Sequence, residues 1–196
     1  GTRGASASAT TIAILRNVTA TNLVADNFNP NFPPDGSSPS SQTINGTDSA
    51  NTLEGGFGND AIAGLGGNDT IDGQAGSDTI DGGDGNDTIE GNYGDDSILG
   101  GSGDDRITDN SGNNTIEGGS GNDTITARSL SGNQTVYGGE GFDNISLTGQ
   151  SLFVDAGDTN DPNSYQQQNI SLTGYATVAN QTSYIQDSSA TVVGSN

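Results

Sequence analysis

The chain contains no cysteine, no histidine, no methionine and no tryptophan, and its four basic residues are all arginine: Arg3, Arg16, Arg106 and Arg128. Each absence removes a class of chemistry. Without cysteine there is no disulfide framework and no thiol nucleophile. Without histidine there is no His-based triad and no imidazole ligand for zinc. Without lysine there is no Schiff base and no phosphate-loop lysine. Apolar residues make up only 28% of the 196 residues and aromatics 5%, so a globular core of ordinary size cannot be assembled. No apolar run approaches the roughly 20 residues of a membrane span. Ile12–Leu15 is among the longest such runs, so membrane insertion is not expected. No leader-type hydrophobic segment is visible, and a start at Gly1 reads as a processed form or a fragment. Twenty-five acids give a net charge of −21, which would repel nucleic acid. Low hydrophobicity with that charge would, taken alone, predict disorder.

What the chain does have is 32 glycines and a period. From Gly55 to Thr126 it repeats every nine residues without slippage: GGFGNDAIA, GLGGNDTID, GQAGSDTID, GGDGNDTIE, GNYGDDSIL, GGSGDDRIT, DNSGNNTIE, GGSGNDTIT. A degenerate copy, GTDSANTLE, precedes them at 46–54. The eighth position is a large aliphatic: Leu53, Ile62, Ile71, Ile80, Ile89, Ile98, Ile107, Ile116 and Ile125. One such residue per unit, flanked by polar neighbours, reads as a short strand with a single inward side chain. That strand cannot bury its isoleucine alone; stacked copies can, which is the logic of a solenoid. Helix is excluded, since glycine at this density would cost about 1 kcal/mol per residue. The glycines instead supply left-handed turn angles and let carbonyls crowd together. A G-x-G-x-x-G phosphate loop would need a helix after it, so the glycines are not read as a nucleotide site.

The sixth position reads Asn51, Asp60, Asp69, Asp78, Asp87, Asp96, Asp105, Asn114 and Asp123. Asp and Asn are favoured in turns, and a single G-x-D would be read that way. Eight consecutive in-phase copies, six of them keeping Asp from Asp60 to Asp105, point to a ligand instead. Stacked strands lie about 4.8 Å apart, so neighbouring carboxylates repel unless a cation stands between them. Oxygen-only donors suit a hard ion with a flexible shell, which favours Ca²⁺ over Zn²⁺ or Mg²⁺.

The units resemble the RTX, or haemolysin-type, calcium-binding nonapeptide G-G-x-G-x-D-x-U-x, as found in the C-terminal domains of serralysin-like proteases. The resemblance implies an all-β fold, a right-handed parallel β-roll or β-helix with calcium-binding turns. In that family two units make one coil, so the turns alternate between two edges. One edge would carry Asn51, Asp69, Asp87, Asp105 and Asp123, the other Asp60, Asp78, Asp96 and Asn114. It further implies ions sandwiched between turns one coil apart, held by the sixth-position side chains and by glycine carbonyls. The glycines concerned are Gly55, Gly64, Gly73, Gly82, Gly91, Gly100 and Gly118 at position one, and Gly56, Gly83, Gly101 and Gly119 at position two. At position four they are Gly58, Gly67, Gly76, Gly85, Gly94, Gly103 and Gly121. Asn114 keeps an oxygen without the charge, so sites touching it are expected to be weaker. Residues 46–126 hold 17 of the 25 acids and one base, Arg106. About six to eight Ca²⁺ would bring this segment close to neutrality.

The register loosens on both sides. After the two extra residues Ala127 and Arg128 the period resumes as SLSGNQTVY, GGEGFDNIS and LTGQSLFVD. Inward residues would be Val136, Ile145 and Val154; Asp143 restores a metal-type turn, whereas Gln134 and Leu152 stand uncharged at position six. Residues 127–155 are thus read as degenerate coils. The acidic loop Asp155–Asn163 reads as surface. An echo, NISLTG, occurs at 144–149 and 169–174, and Ile170, Val178, Ile185 and Val193 recur seven or eight apart. Residues 156–196 therefore read as irregular, metal-free β coils capping the roll. At the other end, residues 1–26 read as an extended strand arm and residues 27–45 as a linker carrying every proline but Pro162. The arm either folds back on its own roll or docks on a neighbouring subunit, because open roll ends invite pairing.

Two functions of different kind follow as expectations. One is an extracellular, calcium-stabilised structural protein that assembles into a filament, sheath or surface layer through its arm or roll ends. The other is a calcium-dependent folding, secretion or adhesion module of a larger secreted protein. Ice binding would need a threonine lattice at position three, where the chain has Phe57, Gly66, Ala75, Asp84, Tyr93, Ser102, Ser111 and Ser120. An enzyme is not expected. Two-carboxylate chemistry is the route left open, and nearly every acid of the array already has a turn or metal role.

Overall fold

A computed structural model describes residues 40–129, 132–155, 169–179, 184–185 and 191–194. Its strands are β1 (Thr43–Thr47), β2 (Thr52–Phe57), β3 (Ala61–Leu65), β4 (Thr70–Ala75), β5 (Thr79–Asp84), β6 (Thr88–Glu90), β7 (Ser97–Ser102) and β8 (Arg106–Asp109). They continue as β9 (Asn114–Ser120), β10 (Thr124–Arg128), β11 (Asn133–Glu140), β12 (Asn144–Asp155), β13 (Asn169–Ala179), β14 (Tyr184–Ile185) and β15 (Thr191–Gly194). There is no helix among the described residues, and hence none long and apolar enough to cross a membrane.

As far as β11, consecutive strands do not pair. Each pairs in parallel with the strand after next, so odd strands stack on one face and even strands on the other. The register is set by the aliphatic of each unit. On one face Ile44, Ile62, Ile80, Ile98, Ile116, Val136 and Val154 stand opposite one another in turn. On the other, Leu53, Ile71, Ile89, Ile107, Ile125, Ile145 and Ile170 do the same. From Ile62 onward these side chains are at most 2% exposed, and together they make one core running the length of the solenoid. Ile44 and Leu53 in the first coil are only partly buried. A parallel sheet buried in this way needs both columns, because each strand contributes one large side chain and cannot shield it alone.

The two faces join at the C-terminal end. The long strand β12 pairs with β10 through Asn144–Thr148 and with β11 through Ser151–Asp155. It therefore rounds the corner without leaving the sheet, with a register shift between Gly149 and Leu152 where β13 pairs with it. The NISLTG echo is the same corner one coil on, Asn144–Gly149 lying opposite Asn169–Gly174 residue for residue. The tail continues as parallel coils, with Ile185 opposite Ile170. At β15, Val193 stands opposite Thr177 and Gly194 opposite Val178. The two extra residues Ala127 and Arg128 lengthen β10 and pair with Leu147 and Thr148. They widen the coil spacing from 18 to 20 residues without breaking the columns.

The roll begins before the boundary read from the sequence. Residues 43–45, linker by composition, belong to β1, and Ile44 takes the column place next to Ile62. The arm at 1–26, the linker up to residue 39 and the loop 156–163 lie outside the described residues.

Candidate metal centre

The corners carry the sixth-position side chains, and the expected alternation between two edges is what the backbone builds. On one edge each sixth-position N–H donates to the carboxylate one coil on. Asn51 donates to Asp69 Oδ1 (2.7 Å), Asp69 to Asp87 (2.7 Å), Asp87 to Asp105 (2.8 Å), Asp105 to Asp123 (2.8 Å) and Asp123 to Asp143 (2.9 Å). On the other edge Gln42 donates to Asp60 (2.7 Å), Asp60 to Asp78 (2.8 Å), Asp78 to Asp96 (2.8 Å) and Asp96 to Asn114 Oδ1 (2.9 Å). Asp60, Asp69, Asp78, Asp87, Asp96, Asp105, Asp123 and Asp143 are all at most 2% exposed.

One oxygen of each carboxylate is thus consumed by the backbone. The other, Oδ2, is buried without a hydrogen-bond partner in Asp60, Asp69, Asp78, Asp87, Asp96, Asp105 and Asp123. Its surroundings make matters worse. A Cβ built on Gly55 would meet both the Gly73 carbonyl oxygen (2.6 Å) and Asp60 Oδ2 (2.8 Å); on Gly73 it would meet Asp78 Oδ2 (2.7 Å) and the Gly91 carbonyl (3.0 Å). Carboxylate and carbonyl oxygens therefore converge beside these position-one glycines. The same holds at Gly64, Gly82, Gly100 and Gly118. Buried acceptors in this state cost free energy unless a proton or a cation joins them. No group of three or more acidic side chains converges among the described residues, so carbonyls must supply most of any donor set. An oxygen-rich set of one or two carboxylates with carbonyls fits Ca²⁺.

The remaining glycines shape the corner. Gly56, Gly83, Gly101 and Gly119 at position two have positive φ, as do Gly58, Gly67, Gly76, Gly85, Gly94, Gly103 and Gly121 at position four. At Gly94, for instance, φ is +138° and a Cβ would collide with the Gly76 carbonyl one coil below. Position two is less strict: Leu65, Gln74 and Asn92 adopt φ of 75°, 68° and 72° there.

Desolvation is the leading cause of the carboxyl shifts in the metal-free roll. It pushes Asp78 and Asp105 up to about 7, with neighbouring carboxylates adding to it and the backbone N–H from the previous coil opposing it. Asp123 and Asp143 rise to about 6, and Asp87 and Asp96 are raised as well. An unfolded Asp titrates near 3.9, so between about pH 4 and 7 the metal-free roll holds more protons than the unfolded chain. Its stability then falls as pH rises through that window and levels off above it. The chelated protein is expected to gain β-sheet circular dichroism on acidification from about pH 8 to 5. Calcium binding runs the other way, because the ion displaces those protons. The calcium midpoint should move to higher concentration over the same acidification, and an unchanged midpoint would contradict this arrangement.

Two features escaped the sequence reading. A second ladder runs along position five, outside the first. Asn86 N–H donates to Asn68 Oδ1 (3.0 Å), Asp104 to Asn86 (3.1 Å), Asn122 to Asp104 (2.7 Å) and Phe142 to Asn122 (2.9 Å). Its signal was the recurring amide or acid just before the sixth position. The other is Asp109, at position one where most units have glycine, 0% exposed. Burial raises its carboxyl, and the facing Asp96 raises it further.

The second edge changes character along its length. Position six there reads Asp60, Asp78, Asp96, Asn114, then Gln134 opposite Asn114, then Leu152 opposite Gln134. Gln134 is buried, and its Nε2 donates to the Gly112 carbonyl at 2.9 Å. Carboxylates give way to amides and then to hydrocarbon, whereas the first edge keeps Asp through Asp143.

A two-faced parallel solenoid with carboxylate-and-carbonyl corners defines the class of calcium-binding β-rolls. A family model for the RTX calcium-binding nonapeptide repeat (4 copies) matches residues 40–71, 72–107, 99–129 and 129–149, more than half of the chain. The chain belongs to that family. No match was found among curated proteins, and none among solved structures.

Proposed function

We propose that this is an extracellular structural protein, stabilised by calcium, that assembles end to end into a filament, sheath or surface layer. The observation that carries the reading is the first coil. The strand order begins at β1 and ends at β2, so both terminal strands of that path belong to the same coil, and its Ile44 and Leu53 are only partly buried. Edge strands with unpaired backbone groups recruit another strand unless covered. A solenoid with complementary ends joined head to tail does not close and grows into a fibre. The calcium requirement supports an extracellular setting, where the ion is abundant enough for sites of about 10⁻⁴–10⁻³ M affinity.

Calcium would be held by the Oδ2 atoms of the buried aspartates together with glycine carbonyls. It would supply charge neutralisation and cross-linking of successive coils. Electron microscopy of the purified chain in millimolar calcium tests assembly. Ordered polymers are expected, lost on deletion of residues 1–26 if the arm joins subunits and retained if the roll ends do. Monodisperse particles would instead favour a folding, secretion or adhesion module of a larger secreted protein, the reading that the family match also supports.

A further inference from the structure

We propose that Asp109 is a calcium ligand outside the nonapeptide pattern, one that supplies at the second edge the charge Asn114 lacks and so completes the last cation site before that corner turns to hydrocarbon. This rests on the calcium reading of the roll. Asp109 lies at the end of β8 with Ala127 as its partner, two residues beyond the inward Ile107, and so takes an inward place in the strand. Earlier coils have glycine at that position in the unit: Gly55, Gly73 and Gly91.

Asp109 Oδ1 accepts the Ser111 N–H (3.0 Å) and the Asn114 side-chain amide (2.6 Å). These two bonds fix the carboxylate and direct Oδ2 inward, where it is buried without a hydrogen-bond partner. There it lies against Gly91. A Cβ on Gly91 would meet Asp109 Oδ2 and, at 2.9 Å, Asp96 Oδ2. In the preceding coils of this edge the equivalent oxygen over Gly55 and Gly73 is a glycine carbonyl. Asp109 thus puts a carboxyl oxygen where its counterparts put a carbonyl.

Asn114 explains the exchange. Its Oδ1 accepts the Asp96 N–H at 2.9 Å, as an aspartate would, but its second atom is an amide nitrogen that donates to Asp109 and to the Ser111 carbonyl (3.1 Å). The side chain keeps the ladder and has no free oxygen for a metal. The carboxylate has moved from position six to position one of the same unit, and the amide locks it in place. Asp96 and Asp109 then face one another as two buried carboxyl groups that share a proton when one of them is protonated and that a divalent cation satisfies when both are ionised.

The test is calcium stoichiometry on the full chain, measured by titration calorimetry above about pH 7 in the range of free calcium expected for such sites. Asp109→Asn and Asp109→Gly are each expected to bind one ion fewer than the parent chain. The double variant Asp109→Gly/Asn114→Asp, which restores the nonapeptide, is expected to regain it. Unchanged stoichiometry in Asp109→Asn overturns the assignment while leaving calcium binding intact; a parent chain that binds no calcium overturns both. Anomalous scattering from crystals of the parent chain grown in terbium decides the matter independently of how the variants fold. A peak in contact with Asp109 Oδ2 supports the assignment. A peak that contacts Asp96 but misses Asp109, or no peak at this corner while others are filled, overturns it.

Discussion

Chelation of calcium at neutral pH is expected to abolish the β-sheet spectrum of the chain, and readdition at millimolar concentration to restore it. The effect follows from the corners. Seven sixth-position aspartates from Asp60 to Asp123, and Asp109 beside them, keep a buried Oδ2 without a donor, and six of the seven have it close to a glycine carbonyl. At about 1 mM calcium, a site with Kd near 0.2 mM adds roughly 1 kcal/mol to the folded state. Six to eight such sites add about 6–8 kcal/mol, comparable with the whole net stability of an ordinary domain. With the ions gone that contribution vanishes and the mutual repulsion of the carboxylates remains. Circular dichroism in EGTA is the measurement, and an undiminished β signal would mean that the hydrocarbon columns suffice alone.

Ile89→Ala in the middle of a column is expected to cost about 3–4 kcal/mol, whereas Leu53→Ala in the first coil should cost under about 1.5 kcal/mol. Ile89 is 0% exposed and sits between Ile71 and Ile107 in register, so its loss leaves a void walled by neighbours on both sides. Leu53 is only partly buried and, among the described residues, has one column neighbour, Ile71. A solenoid is stabilised by nearest-neighbour contacts, so an interior deletion uncouples two blocks of coils and a terminal one merely frays the end. Urea denaturation at fixed calcium measures both variants. Equal losses would show that the coils do not behave as a stack.

Much of this architecture was legible in the residues because two chemistries share one phase. An aliphatic at position eight and an acid at position six, repeated without slippage, leave little freedom: the first must go inward and the second must lie at a corner. Resemblance added the count of two units per coil, and the 18-residue ladders from Asn51 to Asp69 and from Asp60 to Asp78 bear it out. The start of the roll was hidden for a physical reason. Residues 40–45 have no glycine and follow a proline-rich stretch, so they look like linker. Yet Ile44 completes the column, and the backbone of Gln42 does for Asp60 what an aspartate does elsewhere. Asp109 was hidden because a motif is read position by position. An acid at position one and an amide at position six of the same unit are two separate exceptions in sequence, and only the fold brings them within 2.6 Å. The continuous path of β12 around its corner was hidden too, since the loss of glycine between Gly149 and Asp155 marks a change of corner type rather than an end of coiling.

The drift from Asp60, Asp78 and Asp96 through Asn114 and Gln134 to Leu152 gives the molecule a direction. Along that one edge the demand for counter-ions fades coil by coil toward the C-terminal side, where an amide and then hydrocarbon leave no anion to neutralise. Withdrawing the ions is therefore expected to strain this margin of the molecule unevenly, most where the acids are stacked.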